Sequence, residues 1–164
     1  NGVAKTLIDR LAYVCHRPAF AGKCAYLIAT VADSPTSHTL RTMGIALRTW
    51  GFHIAGQAGY KMGALMPQDE VERHYEGETA RDAEALFKTI HNQAFLRPSF
   101  LSLMMFKIQQ QSWQQEGPAS YDYTYWKKQG WFDPACTFYI EHRASPVKVA
   151  LARLTGAVLA RFVA

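Results

Sequence analysis

The sequence predicts an α/β chain: the second half of a doubly wound parallel sheet over residues 1–95, then a helical, aromatic-rich carboxyl-terminal extension over residues 96–164. Two short apolar runs, 24–30 and 52–58, alternate with helical patterns. Strands separated by helices imply parallel βαβ units. Runs without polar alternation suit strands covered on both faces. Past Phe95 the alternation stops, and Tyr and Trp gather in an irregular stretch before a last amphipathic helix.

Each element has a local reason. Residues 3–14 place Leu7, Leu11 and Val14 at helical spacing, with Ile8 beside them and Asp9 and Arg10 off the stripe. Pro18 and Gly22 break that helix before the first strand, CAYLIAT. Ser34 followed by Pro35 predicts an N-cap and a first helical position. Leu40, Met43, Leu47 and Trp50 then mark one helical face, and Gly51 suits the C′ position. The second strand, FHIAGQA, leads into a glycine-bearing loop, GYKMGALMP. After the acidic stretch QDEVERHYEGE, a helix is marked by Ala83, Leu86, Phe87, Ile90 and Ala94. A further helix over 98–115 carries Leu101, Met104, Met105 and Ile108 on an apolar face. The segment 116–142 reads as irregular. The helix over 146–162 sets Val147, Leu151, Leu154, Val158 and Phe162 on one side.

Composition narrows the classes. Of 164 residues, 49% are apolar and 19% charged, which suits a packed chain rather than a disordered one. The net charge of +5 is uneven: residues 1–95 hold 10 basic and 9 acidic side chains, and residues 96–164 hold 8 and 4. A mild, unclustered excess argues against a nucleic-acid partner. Cys15, Cys24 and Cys136 form no C-x-x-C pair and read as small apolar fillers in a reducing cytoplasm. No run reaches the roughly 18 apolar residues of a membrane span, and none reads as a signal peptide.

An α-β-α-β-α order with two strands leaves helices half covered. It is the pattern expected when the first half of a five-stranded domain is missing. The first residue is Asn1 rather than Met, as in a processed, trimmed or incomplete frame. One strand edge would then stand unpaired, a route to intermolecular pairing.

Three stretches carry a family resemblance. KTLIDRL resembles the K-x-F-I-D-R helix that follows the third strand of flavodoxin-like NAD(P)H-dependent FMN reductases, in the multimeric-flavodoxin branch. AYLIAT, its polar loop and TLRTMGIALRTWGFHIAG look like that family's fourth strand, fourth helix and fifth strand. YDYTYWKKQGW is similar to the D-x-x-Y-W-x-x-x-G-W element of one subgroup's tail. The first strand with its phosphate loop is absent, as is the aromatic loop after the third strand. DSPTSHT is no substitute, because it follows the wrong strand and lacks the glycine that lets amides close on a phosphate.

The resemblance implies an oxidoreductase with FMN as cofactor and NADPH or NADH as co-substrate. Electrons would pass to a quinone, a free flavin or another small-molecule acceptor. A homo-oligomer is implied, with no nucleic acid. The loop at the end of the first strand would border the flavin ring, with Thr30, Val31, Ala32, Asp33, Ser34 and Thr36 as contacts and no catalytic side chain. A flavodoxin-type electron carrier or binding module is the alternative. Other constellations point to less. Asp33, Ser34 and His38 lack a nucleophile elbow. His16, His53, His74, His91 and His142 lack metal spacing. Tyr60 and Lys61 would sit on a loop facing a nicotinamide or a partner subunit. The aromatic set Tyr121, Tyr123, Tyr125, Trp126 and Trp131, with Lys127 and Lys128, would pack onto the domain or across a dimer rather than stack on bases. The last helix would dock on its own domain or a partner protomer; Lys148, Arg153 and Arg161 also permit contact with an anionic membrane surface.

Overall fold

A computed structural model describes residues 2–63 and 67–163. The chain divides into two compact units, one built from the residues up to Cys15 with Gly22–Phe95, the other from His16–Ala21 with the residues from Leu96 onward.

The first unit holds α1 (Gly2–Arg10), a 3-10 turn (Ala12–Cys15), β1 (Cys24–Val31), α2 (Ser37–Thr49), β2 (His53–Lys61) and α3 (Gln68–His91). The strands pair in parallel, with Leu27 opposite Gln57 and Thr30 opposite Tyr60. A bulge between Ala25 and Tyr26 takes up Ala55 of β2. Leu27 and Ala29 are buried beneath Leu40, Met43 and Leu47 of α2. Tyr26, Thr30 and Tyr60 lie on the other face, where α3 packs. The α/β expectation therefore holds as a two-stranded parallel sheet with helices on both faces.

The chain leaves α2 as the sequence predicts. Gly51 has φ 102°, its N–H donates to the Arg48 carbonyl, and the Phe52 N–H donates to Leu47. This is a Schellman motif, and only glycine enters its left-handed position without strain. The start of α2 differs. The helix begins at Ser37, not at Pro35, and Thr36 stands at the N-cap with helical dihedrals and no capping bond from its side chain. That side chain lies on Gly59 instead: a Cβ at Gly59 would collide with the Thr36 hydroxyl and stand 2.7 Å from its Cβ.

β2 also outruns its expected end, because Gly59, Tyr60 and Lys61 stay in register with Ala29, Thr30 and Val31 of β1. Gly59, Tyr60 and Lys61 belong to the strand rather than to a loop; Gly59 is there because α2 approaches it, not because the chain turns. Residues 64–66 of the expected loop lie outside the described residues. The acidic stretch is itself helical and opens α3. Asp69 and Glu70 in its first turn, with Lys88 and His91 in its last, oppose the helix dipole. Asp69 pairs with Arg73 and Glu84 with Lys88 at i,i+4. Phe87 and Ile90, expected inside, are exposed, and Ala94 falls in a 3-10 turn beyond the helix. The first helix also stops early, at Arg10, leaving Leu7 exposed.

The second unit holds α4 (Phe100–Glu116), α5 (Tyr121–Lys128) and α6 (Pro146–Val163). Ser99 caps α4 by accepting the Ser102 N–H at 3.1 Å. Its buried face is Leu103, Phe106, Ile108 and Gln110, while Leu101 and Met105 are exposed, contrary to the expected face. Part of the segment expected to be irregular forms α5, because Ser120 accepts the Asp122 N–H at 3.1 Å and nucleates a turn. Gly130, φ 72°, closes α5 with a second Schellman pair: its N–H reaches the Lys127 carbonyl, and Trp131 N–H reaches Trp126. The motif sets Trp126 and Trp131 against each other, ring centres 5.0 Å apart. With Phe106 they form this unit's core. The spacing in Y-W-x-x-x-G-W is thus the geometry of a helix end. Trp126 Nε1 also donates to the His16 carbonyl at 2.7 Å. Asp122 accepts from Arg17 and meets His16 Nδ1 at 3.1 Å, which ties in the His16–Ala21 segment.

The last helix reverses expectation. Ala152, Gly156 and Ala160 are buried against α4, and a Cβ at Gly156 would lie 2.8 Å from the Met104 carbonyl. Val147, Leu151, Leu154, Val158 and Phe162 are exposed. The large side chains therefore do not form the docking face, because the close approach of α4 admits only small ones. Among the described residues no helix is long and apolar enough to cross a membrane. Among the described residues there is no disulfide, and Cys15, Cys24 and Cys136 are half-buried rather than buried.

Candidate functional site

In open parallel sheets ligands gather beyond the carboxyl ends of the strands. Here those ends are Thr30 and Tyr60, side by side on the α3 face. They open on a cavity of about 780 Å³ whose far wall is α3, a volume within the usual range of small-molecule sites. Met62, Val71, Ala80 and Ala83 supply its apolar lining; Asp69, Glu72 and Glu76 supply its acidic one. Among the described residues Arg73 is its one lining cation, and it donates to Asp69 at 3.1 Å, so the described wall remains net negative.

Two aromatic rings are fixed at its edge. Tyr60 donates to the Asp82 carboxylate at 2.9 Å. Tyr75 donates to the Lys61 carbonyl at 2.7 Å and accepts the Lys61 N–H at 3.0 Å, stitching α3 to the end of β2. The rings meet edge to face, centres 4.9 Å apart. Behind them, the Tyr26 ring lies across Gly56, where a Cβ would come within 2.5 Å of it. Burial, then the Asp82 carboxylate and Tyr60, push the Tyr26 hydroxyl up to about 12. Burial and Asp82 also raise Tyr60. A phenolate next to a carboxylate is disfavoured twice, by desolvation and by like charge, so these hydroxyls remain donors.

The predicted contacts fall at one end of this arrangement. Thr30 and Val31 end β1, Ala32, Asp33 and Ser34 form the bend after it, and Thr36 starts α2. Of the six, only Thr30 lines the cavity. Thr30, Asp33 and Ser34 are exposed, whereas the Thr36 hydroxyl is spent against Gly59. Tyr60 and Lys61, expected on a loop, are strand residues engaged with α3. His38 lies beside Arg41, 3.5 Å from its guanidinium, rather than forming a triad. Among the described residues no group of three or more His, Cys, Asp or Glu is gathered to hold a metal. Burial raises the Cys24 and Cys136 thiols, which keeps them protonated. Trp126 and Trp131 are buried and so cannot stack on bases. The sequence reading missed Tyr26, Tyr75 and Asp82. The available signal was the Tyr75–Asp82 spacing, seven apart on one face of α3.

No family model, no curated protein and no solved structure matches the chain.

Proposed function

We propose that this chain belongs to a flavodoxin-like, FMN-dependent NAD(P)H oxidoreductase, and that the loop from Thr30 to Thr36 borders the flavin ring. The observation that carries the reading is the placement of an exposed, hydroxyl-bearing loop and an adjoining cavity at the carboxyl ends of two parallel strands.

The residues fit one part of FMN and not another. Thr30 and Ser34 present exposed hydroxyls, and the first turn of α2 follows directly, its amide dipoles suited to the electron-rich pyrimidine edge of a flavin. The phosphate finds no cradle. Residues 30–38 contain no glycine, and the nearby cavity wall carries Asp69, Glu72 and Glu76. The reading therefore assigns the ring edge alone to these residues. When bound, FMN supplies the hydride chemistry between NADPH or NADH and a small acceptor. The chain's own residues bind and orient: Thr30 and Ser34 donate to the ring edge, and Tyr60 and Tyr75 hold a flat wall beside it. The acidic lining repels phosphates, so within this reading the cavity takes a neutral acceptor of quinone size.

The test is flavin absorbance of the purified chain after gel filtration with excess FMN, followed by NADPH oxidation at 340 nm. Retention that falls several-fold in Thr30→Val and Ser34→Ala supports the reading. No retention overturns ring-edge binding by this chain. Retention without NAD(P)H turnover favours the non-enzymatic electron carrier or binding module.

A further inference from the structure

Two cations of the second unit converge on one turn, residues 131–136. Lys107 of α4 stands against α6, since a Cβ at Gly156 would lie 2.9 Å from its own Cβ. Arg153 is one helical turn before Gly156, on the neighbouring side of α6. Its Nη1 donates to the Cys136 carbonyl at 3.1 Å and its Nη2 to the Pro134 carbonyl at 3.0 Å. Lys107 Nζ donates to Gln110 Oε1 at 2.8 Å, and Gln110 Nε2 donates in turn to the Trp131 carbonyl at 2.6 Å. Gln110 is 2% exposed, so the amide that holds the ammonium is fixed within the core.

All of these acceptors are neutral. Among the described residues neither cation has a carboxylate within ion-pair distance. Asp133, the acid within the turn, accepts the Ala135 N–H at 2.7 Å instead. Burial and the Arg153 charge hold the Lys107 ammonium below its ordinary pKa, as expected for like charges brought together away from water. Half-buried cations on neutral oxygens lack the counter-charge that offsets their desolvation. They also keep donors in hand. An ammonium has three N–H groups, of which Gln110 takes one; a guanidinium has five, of which the two carbonyls take two.

We propose that Lys107 and Arg153 together bind a phosphate-type oxyanion. A planar guanidinium fork beside a compact ammonium suits a tetrahedral dianion, which accepts charge-assisted bonds from both and neutralises both. A singly charged carboxylate would leave one of the two charges uncompensated. The site belongs to the second unit alone and does not rest on the flavin reading.

The test is calorimetric titration of the purified chain with inorganic phosphate at fixed ionic strength and neutral pH, repeated with acetate and with Lys107→Gln. Glutamine keeps the start of the stem that packs on α6 and removes the charge. The parent should saturate with phosphate at a dissociation constant of about a millimolar, and acetate should not saturate. Lys107→Gln should weaken phosphate binding at least about tenfold. In phosphate-free buffer it should unfold at no lower urea concentration than the parent, because a like-charge repulsion has gone; that separates a lost site from a lost fold. Phosphate should also shift the Arg153 Nε–H resonance of the parent, which locates the anion without any variant. No saturation of the parent by phosphate overturns the proposal. So does a folded Lys107→Gln that binds phosphate as the parent does, an unmoved Arg153 resonance at saturation, or acetate binding as tight as phosphate. Inorganic phosphate carries no ring, so none of these results bears on the flavin reading.

Discussion

The same substitution, glycine to alanine inside a helix, should have opposite signs at two places in this chain. Alanine is the better helix former by about 1 kcal/mol. At Gly77 in α3 the added Cβ meets nothing within 4 Å, so Gly77→Ala should stabilise by about 0.5–1 kcal/mol. At Gly156 in α6 the same Cβ would lie 2.8 Å from the Met104 carbonyl oxygen and 2.9 Å from Lys107 Cβ. Ordinary contact begins near 3.4 Å, a shortfall of 0.6 Å at the oxygen. Neither atom can swing away, because the carbonyl belongs to the α4 backbone and a Cβ is fixed to it. The helices must part, which also loosens Ala152 and Ala160. Overpacking of this kind costs about 1–3 kcal/mol. Net of the propensity gain, Gly156→Ala should lose up to about 2 kcal/mol, some 1–3 kcal/mol below its Gly77 counterpart. Urea unfolding reads both: Trp fluorescence follows the core around Trp126 and Trp131, and far-UV dichroism follows α3. If Gly156→Ala proves as stabilising as Gly77→Ala, the close packing of α6 on α4 is wrong.

Three further outcomes follow from the geometry. The raised Tyr26 hydroxyl means that the folded chain keeps a proton the unfolded chain releases near pH 10, so its stabilisation is complete below pH 10 and lost as pH rises towards 12; Tyr26→Phe should flatten that alkaline decline, and an unchanged urea midpoint against pH would refute the assignment. Gly59→Ala collides with Thr36 and should destabilise by about 1–3 kcal/mol; adding Thr36→Gly should restore part of the loss in a double-mutant cycle, whereas simple additivity would mean that the two residues do not touch. Asp122→Asn weakens the contacts to Arg17 and His16 and should cost about 1.5–3 kcal/mol; exchange of the Trp126 indole proton, bound to the His16 carbonyl, should quicken with it, and unaltered exchange would uncouple that segment from α5.

Local chemistry made part of this fold legible. An uncharged apolar run of strand length, a helix closed by Gly51 and a second strand are each written in adjacent residues, and β1, α2 and β2 form largely where those signals lie. What stayed illegible depends on residues distant in sequence. Gly59 reads as a loop residue until α2 is seen to press Thr36 against it. The acidic stretch before Ala83 lacks an apolar stripe, so periodicity passes over it, while its i,i+4 ion pairs and end charges hold it helical. The candidate site shows the same division. Thr30 and its loop follow from the rule for strand ends, but Tyr26, Tyr75 and Asp82 are brought together only by the packing of α3 on the sheet.

α6 shows most clearly why periodicity underdetermines packing. Its large residues recur at 147, 151, 154 and 158, its small ones at 152, 156 and 160. Both sets are helical stripes, and hydrophobicity favours the first. Yet burial per residue is not what selects the face when two backbones approach closely: a stripe of Ala and Gly lets two helices touch along their main chains, with many weak dispersion contacts at short range. The Gly156 contact with the Met104 carbonyl marks that choice. A sequence reading that weighs only large apolar side chains will invert any such helix. The corrective signal is a small residue at every fourth position opposite the apolar stripe, which here was present in ALARLTGAVLA from the start.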